Sequence, residues 1–201
     1  MPTSTMIKLT NVRLSYPHIA RRKKFKNEPE KPGKFQATFI LDPDNEAHVA
    51  IMNEVKTVAK GIYDEQWPKG AKLKSRCYKI NKAPDENDDD AEDVSDEYLN
   101  MFTLSSSEDH RPEVRDASGR PVAEDDNGFP YAGCYVNGYI TMWTQDNEWG
   151  KRINANLLAV QFHHDGDKFS SRPDASAIDF DDMSSQGGTA DSGSGDDPLA
   201  F

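Results

Sequence analysis

Two cysteines, Cys77 and Cys134, are all that the 201 residues contain. So few supply neither a disulfide framework nor the paired spacing of a thiolate metal site. Long hydrophobic runs are missing too. The longest stretch without charge contains FPYAGCYVNGYITMWTQ, which holds Pro130, Gly133, Asn137 and Gly138 and alternates apolar with polar residues. Such alternation belongs to a strand and not to a membrane helix. No basic and apolar leader follows Met1, so we expect no secretory export and a reduced, cytoplasmic setting. Enzyme signatures are equally scarce: there is no Gly-rich phosphate loop, no Gly-x-Ser-x-Gly elbow and no Cys or His cluster. His163 and His164 are adjacent, so on a strand they should face opposite ways and not share a metal. Hydrophobic residues reach only 35% against 29% charged. That balance implies a modest core joined to a substantial length of sequence that does not fold.

The charge present is unevenly distributed. The formal net charge of −11 argues, taken alone, against nucleic acid. From Met1 to Lys82, however, 17 Lys and Arg stand against 8 Asp and Glu, a net of +9. From Ala83 to Phe201 the counts are 7 and 27, a net of −20. A basic half is joined to an acidic half, and it is the distribution that speaks about partners.

Periodicity predicts a mainly β domain of roughly five or six strands with one helix. MIKLTNVRLSYP reads as a strand with Asn11 as a bulge, ending before Pro17. A basic loop from His18 to Lys34 follows, then a strand KFQATFIL with Phe35, Ala37, Phe39 and Leu41 on one face. The stretch from Asp42 to Trp67 has an Asp-Pro start and places Val49, Met52, Val55, Ala59 and Ile62 at helical spacing. KLKSRCYKI is expected to be a strand with Lys72, Lys74, Arg76 and Tyr78 on one face. YLNMFTLSSS, CYVNGYITMWTQ and RINANLLAVQF supply three more, the last two joined by the short turn DNEWG. Nine acids between Asp85 and Glu97 form a solvated loop. Pro173 to Phe201 holds seven acids and no Lys or Arg, and it cannot bury enough apolar surface to offset its ordering entropy. The expected domains are 1–172 and a disordered acidic tail, 173–201. Small antiparallel barrels, the OB-fold among them, fit this order of elements.

Two groups of residues suggest a ligand. On the strand CYVNGYITMWTQ, Val136, Gly138, Ile140 and Met142 share one face, while Tyr135, Asn137, Tyr139, Thr141 and Trp143 share the other. A face mixing aromatic with polar groups meets water, and its rings could stack on unpaired bases. Lys72, Lys74, Arg76 and Tyr78, with Arg21, Arg22, Lys23, Lys24 and Lys26 in an adaptable loop, could follow a phosphate backbone. Plain readings stand beside these: rings packed beneath a loop or a dimer partner, and a charge run that is only a solvated surface. The acidic runs Asp88–Asp90 and Asp179–Asp182 sit in flexible sequence, whereas a metal nuclease needs carboxylates on rigid elements. No cofactor is expected. An acidic protein that mimics DNA and occupies a basic enzyme is the first alternative, and a metal-dependent nuclease the second. The mimic needs its acids on a folded surface, but here they concentrate in loops and a tail.

The chain ends GSGDDPLAF. Asp196 and Asp197 precede Pro198, Leu199, Ala200 and Phe201, so acidic steering and an apolar hook carrying the terminal carboxylate are arranged in series. This end resembles the acidic, aromatic-terminated tail of bacterial single-stranded DNA-binding proteins, except that Leu199 and Ala200 separate the proline from the phenylalanine. The body resembles a bacteriophage family of OB-fold single-stranded DNA-binding proteins. The resemblance runs from Met6 to Phe169 through VRLSYPHI, KFQATFIL, RPEVRDASGRP, YAGCYVNGYITMW and LLAVQFHHDGDKF. It implies a nonenzymatic binder of single-stranded DNA serving phage replication, recombination or repair in the cytoplasm of the infected bacterium. The tail would recruit a replication or recombination protein such as a polymerase, helicase or recombinase. Homo-oligomerisation is compatible with this reading. The helix falls between the second and third strands, so an elaborated OB-fold-like antiparallel barrel is expected.

Overall fold

The structure, a computed structural model, describes residues 5–24, 30–82 and 96–169. The Lys26 expectation, most of the acidic loop and the whole tail from residue 173 lie outside them. The elements are β1 (Met6–Lys23), β2 (Lys34–Leu41), α1 (Glu46–Gln66), β3 (Ser75–Arg76), β4 (Tyr78–Ile80), β5 (Phe102–Glu108), β6 (Glu113–Arg115), β7 (Tyr135–Asn147) and β8 (Gly150–His164). A single 3₁₀ turn, Asp96–Tyr98, precedes β5. The described residues are mainly β with one α-helix, as the periodicity predicts.

The sheet order is β3-β8-β7-β1-β2-β5-β4, with β6 added to β8. The two end strands are consecutive in the chain and meet at Cys77. Its N–H donates to Ile153 O at 2.8 Å, and its C=O accepts from Ser105 N–H at 2.7 Å. One residue thus joins the two ends of the sheet, making an OB-like barrel. The core is filled by the inward members of each alternation, among them Ile7, Leu9, Val12 and Leu14 from β1 and Val136, Ile140 and Met142 from β7. Burial of side chains of this size stabilises by ~1.5–3 kcal/mol each. At Gly138 the wall has no side chain because Phe39 occupies the space: a Cβ there would lie 2.6 Å from the Phe39 ring.

Helix α1 begins where Asn45 Oδ1 accepts from the N–H groups of Ala47 and His48, a conventional N-cap. It buries Ile51, Met52, Val55 and Ala59 against the barrel, while Val49 and Ile62 pack at the margin. His48 fastens the helix to β1. Its Nδ1 accepts from the Asp42 N–H, and its Nε2 lies 3.0 Å from Asn11 O. Asn11 sits at φ +53 within the expected bulge, and its N–H donates to Asn137 Oδ1.

Three expectations need correction. β1 does not end before Pro17. A second bulge at Tyr16 (φ +46), with a register shift between Ser15 and His18, places the missing proline N–H where the ladder is already interrupted. The strand therefore continues to Lys23, and Arg21, Arg22 and Lys23 lie on it and not in a loop. KLKSRCYKI is not one strand, because the chain changes pairing partner at Cys77. Period two fails there, and Tyr78 turns inward to stack on Phe102 at 5.6 Å between centroids. Finally, His163 and His164 do not diverge. His163 is the extra residue of a bulge between the pairs Tyr135–His164 and Val136–Phe162, and the two Nδ1 atoms meet at 2.7 Å.

Among the described residues no helix is long and apolar enough to cross a membrane, and no three His, Cys, Asp or Glu side chains are grouped to hold a metal.

Candidate nucleic-acid interface

The segment after α1 is fixed to the β7–β8 hairpin by polar contacts at its start. The Tyr63 hydroxyl is bonded to both the N–H and the C=O of Ala71. The Trp67 indole N–H donates to Asp146 Oδ2 at 2.9 Å, and Lys151 Nζ reaches the same oxygen at 3.0 Å. These partners, the indole first, hold the Asp146 carboxyl below the usual carboxylate range. Lys74 N–H then donates to Lys151 O. Lys74's stem lies over Gly150, where φ is +102 and a Cβ would come within 3.1 Å of it. Lys74, Arg76, Lys151 and Arg152 are thereby gathered along one side of the hairpin, with Lys72 exposed just before them. At the tip stands Trp149, 64% exposed, the most open of the large apolar side chains among the described residues.

Beside this basic edge the barrel wall is open. The second edge of β8 is paired with β3 at Arg152–Ile153 and with β6 at Ala159–Gln161. Among the described residues, Asn154–Leu158 faces no strand there. β5 is likewise covered by β4 over Phe102–Leu104 and by Cys77 at Ser105, leaving Ser106–Glu108 uncovered. The opening holds about 320 Å³ and is lined by Gln36, Thr38, Arg76, Ser105, Ser107 and Asn154, with Ala37, Ser106 and Ala155 at its floor. The serine, threonine and alanine side chains among them are too small to fill it. Among the described residues the Arg76 side chain makes no hydrogen bond or ion pair, whereas Asn154 donates to Gln145 Oε1 at 3.0 Å and its Oδ1 has no partner there.

The expected aromatic face of β7 is present, with Val136, Gly138, Ile140 and Met142 turned inward. Its rings are already in contact with neighbours. Tyr135 stacks on His164 at 4.4 Å, Lys8 lies over Tyr139 at 5.8 Å, and the Trp143 indole donates to Asn156 Oδ1 at 2.7 Å. Trp143 is 40% exposed and stands opposite Asn154 in register, at the margin of the opening. Tyr78 is half-buried and supports the core. On β1, Arg21 pairs with Glu124 at 3.0 Å, Arg22 donates to Asp109 O and covers Phe35, and Lys23 lies over Tyr16. Lys24, beyond the strand, is exposed.

A second row of rings begins at Tyr16. It stacks on Tyr98 at 6.4 Å, and Tyr98 meets Phe169 at 6.3 Å. Arg13 lies 4.3 Å over Phe169 and donates to Gly133 O and Asp167 O. The Tyr98 hydroxyl touches Ser15 Oγ, and burial raises it to about 12. Burial likewise pushes Cys77 to about 12 and Cys134 to about 11, so neither thiol is a nucleophile near neutrality.

Of the residues singled out from the sequence, Trp143, Lys72, Lys74 and Arg76 lie along this edge and opening. Trp149, Arg152, Asn154 and the ring row Tyr16–Tyr98–Phe169 were not among them. A tryptophan within a hairpin turn, and three serines in the middle of a strand, were the signals available.

The match to known proteins is consistent along the chain. Residues 5–190 fit the family model described as Enterobacter phage Enc34, ssDNA-binding protein. Protein p50 of Acyrthosiphon pisum secondary endosymbiont phage 1 is 34% identical over 182 residues, covering 89% of this chain and 94% of that protein. The single-stranded DNA-binding protein of bacteriophage Enc34, solved in complex with ssDNA, superposes with a TM-score of 0.66 at 28% identity, covering 82% of this chain and 89% of the other. The gp2.5 single-stranded DNA-binding protein of bacteriophage T7 shares the fold, with a TM-score of 0.52 at 13% identity, covering 94% of this chain and all of that one. The chain belongs to the family of the ssDNA-binding protein of Enterobacter phage Enc34.

Proposed function

We propose that this protein binds single-stranded DNA without catalysis and with little regard to sequence, in the cytoplasm of a bacterium infected by a phage. The observation that carries the reading is the likeness over most of the chain to a phage protein solved with ssDNA bound. The surface chemistry agrees. In OB-type barrels oligonucleotides cross the second and third strands and reach the loops joining the first strand to the second and the fourth to the fifth. Those positions correspond here to β2, β5, Lys24 just beyond the end of β1 at Arg21–Lys23, and the Trp149 turn. Lys72, Lys74 and Arg152 supply phosphate contacts, Arg76 meets the strand at the opening beside them, and Trp149 and Trp143 supply ring faces for stacking. Tyr135 and Tyr139 extend the stacking surface only where a strand displaces their present neighbours, and Tyr78 acts through the core.

The protein serves phage replication, recombination or repair, with residues 1–172 holding DNA and 173–201 recruiting a polymerase, helicase or recombinase. Asp196 and Asp197 steer that encounter, and Pro198, Leu199 and Phe201 enter an apolar pocket closed by a cation. An electrophoretic shift assay with single- and double-stranded oligonucleotides, with and without Mg²⁺, tests the DNA reading. The expected result is a shift of the single strand, independent of Mg²⁺ and without cleavage. No shift, or Mg²⁺-dependent cleavage, overturns it. Deleting Phe201 should abolish capture of a host or phage replication protein while DNA affinity is kept. Capture that survives the deletion removes the tail from the role.

A further inference from the structure

The opening between β5 and β8 is a polar hole in the wall of a barrel whose interior is packed with apolar side chains. Its volume of about 320 Å³ equals roughly ten water molecules at ~30 Å³ each, too many for a fixed structural water and ample for a planar ring. Its chemistry is mixed in sign. Arg76 offers only donors, and among the described residues no acceptor is hydrogen-bonded to its side chain. Asn154 keeps Oδ1 as an acceptor because its amide N–H₂ is committed to Gln145. The uncovered strand edges Ser106–Glu108 and Asn154–Leu158 present backbone N–H and C=O groups together. A phosphate wants donors alone, and carbonyl oxygens beside it would repel it. A neutral heterocycle with donors and acceptors on neighbouring edges satisfies both kinds of group.

We propose that this opening is a base-reading subsite that favours guanine within an otherwise sequence-tolerant strand. The inference rests on the single-stranded DNA reading above. Guanine presents O6 and N7 as adjacent acceptors matched to the two-pronged guanidinium of Arg76, and it presents N1–H and N2–H₂ as donors toward Asn154 Oδ1. Adenine puts an amino group where guanine has O6, facing the cation with another donor. Thymine meets the site with a single acceptor on each side of one donor. Trp143, opposite Asn154 in register and 40% exposed, provides a ring at the margin for the neighbouring base. A strand whose other nucleotides are held by stacking and phosphate contacts therefore registers itself on one purine.

The test is fluorescence anisotropy of the full chain with a homothymidine oligonucleotide, the same oligonucleotide carrying one central guanine, and a third in which that guanine is 7-deazaguanine. We expect the guanine to tighten binding about fivefold to tenfold, a modest share of the range for a bidentate Arg–guanine pair. The 7-deaza base, which lacks only the N7 acceptor, should lose most of that gain in the unmodified protein. In Arg76→Lys, which keeps the charge and loses the fork, the ratio of guanine to thymine affinity should fall to about one, whatever happens to the common affinity. Equal affinity of the unmodified protein for all three oligonucleotides overturns the subsite while leaving the DNA reading intact. A ratio that survives Arg76→Lys does the same. Binding to none of them overturns both.

Discussion

β8 is built into two walls of the same barrel, and they are finished in different ways. Toward β7 it is paired from Asn147–Gly150 to Tyr135–His164, with two irregularities, and the inner face is closed so tightly that Gly138 has given up its side chain to Phe39. Toward β5 the same strand meets serines, alanines and an unengaged arginine across an opening. The sealed wall carries the stability and the open wall carries exposed chemistry. What separates them is the size and polarity of a few side chains, since the backbone is equally extended on both sides.

Adding one methyl group to the sealed wall should have the largest effect. Gly138→Ala places a Cβ inside contact distance of a ring with no free side, and we expect a loss of about 3 kcal/mol in urea denaturation, at the upper end of overpacking costs. A neutral result would mean that the wall is as yielding as its counterpart, and the comparison would fail.

The open wall should respond in binding and not in stability. Trp149→Ala removes an exposed ring at the hairpin tip, so its urea midpoint should stay near that of the parent. Its affinity for single-stranded DNA should fall by about 1–2 kcal/mol, within the range of a lost stacking contact. Unchanged affinity would place the stacking surface elsewhere, with the Tyr16–Tyr98–Phe169 row as the next region to substitute. Smaller still is the expected effect of Lys74→Gln. Log affinity against log salt should have a slope near −2 to −4 for the parent, at about −0.7 per phosphate contact, and the variant should lose about 0.7 of it. An identical slope removes Lys74 from the phosphate path.

The smallest effect belongs to neither wall and serves as a control. In the turn after β6, Asp116 accepts from Ser118 Oγ and from the Arg120 N–H, which hold its carboxyl at about 2 against an ordinary 3.8. A carboxyl depressed on folding contributes stability that is complete above the unfolded value and is lost as pH falls through the folded one. Asp116→Asn should therefore flatten the acid limb of thermal stability between about pH 4 and pH 2 and leave DNA binding at neutral pH unaltered. A variant whose acid limb matches the parent would show that the turn does not form.

The elements with strong periodicity were legible from the order of apolar and polar residues alone. β2, α1, β7 and β8 follow their apolar spacing because burial on one face decides their register. The segments that misled are those whose pairing changes midway. Nothing local announces that residues 72–80 serve two partners, because the switch at Cys77 depends on strands far away in sequence. The extension of β1 past Pro17 depends on Tyr16 adopting a left-handed backbone, which its side chain disfavours and which only the assembled barrel imposes. The candidate site was half legible for the same reason. Cations and aromatics can be counted on a line, but an opening is an absence of side chains, visible only when two distant strands are set side by side.

The pairing of β1 with β7 also has a consequence in time. Met6 stands opposite Thr141 and Val12 opposite Val136, so the first strand to be made waits for one of the last. At ~5–20 residues per second of synthesis the delay is roughly six to twenty-seven seconds. Throughout it the β1–β2 pair presents an uncovered edge carrying Ile7, Leu9 and Val12, a template on which another nascent chain could pair. Identical chains emerging from neighbouring ribosomes on one messenger would meet during that interval. The acidic sequence cannot guard it, because most of it is translated after β2. The two bulges at Asn11 and Tyr16 are already in the exposed strand, and by twisting its edge they make it a poor template before its true partner exists.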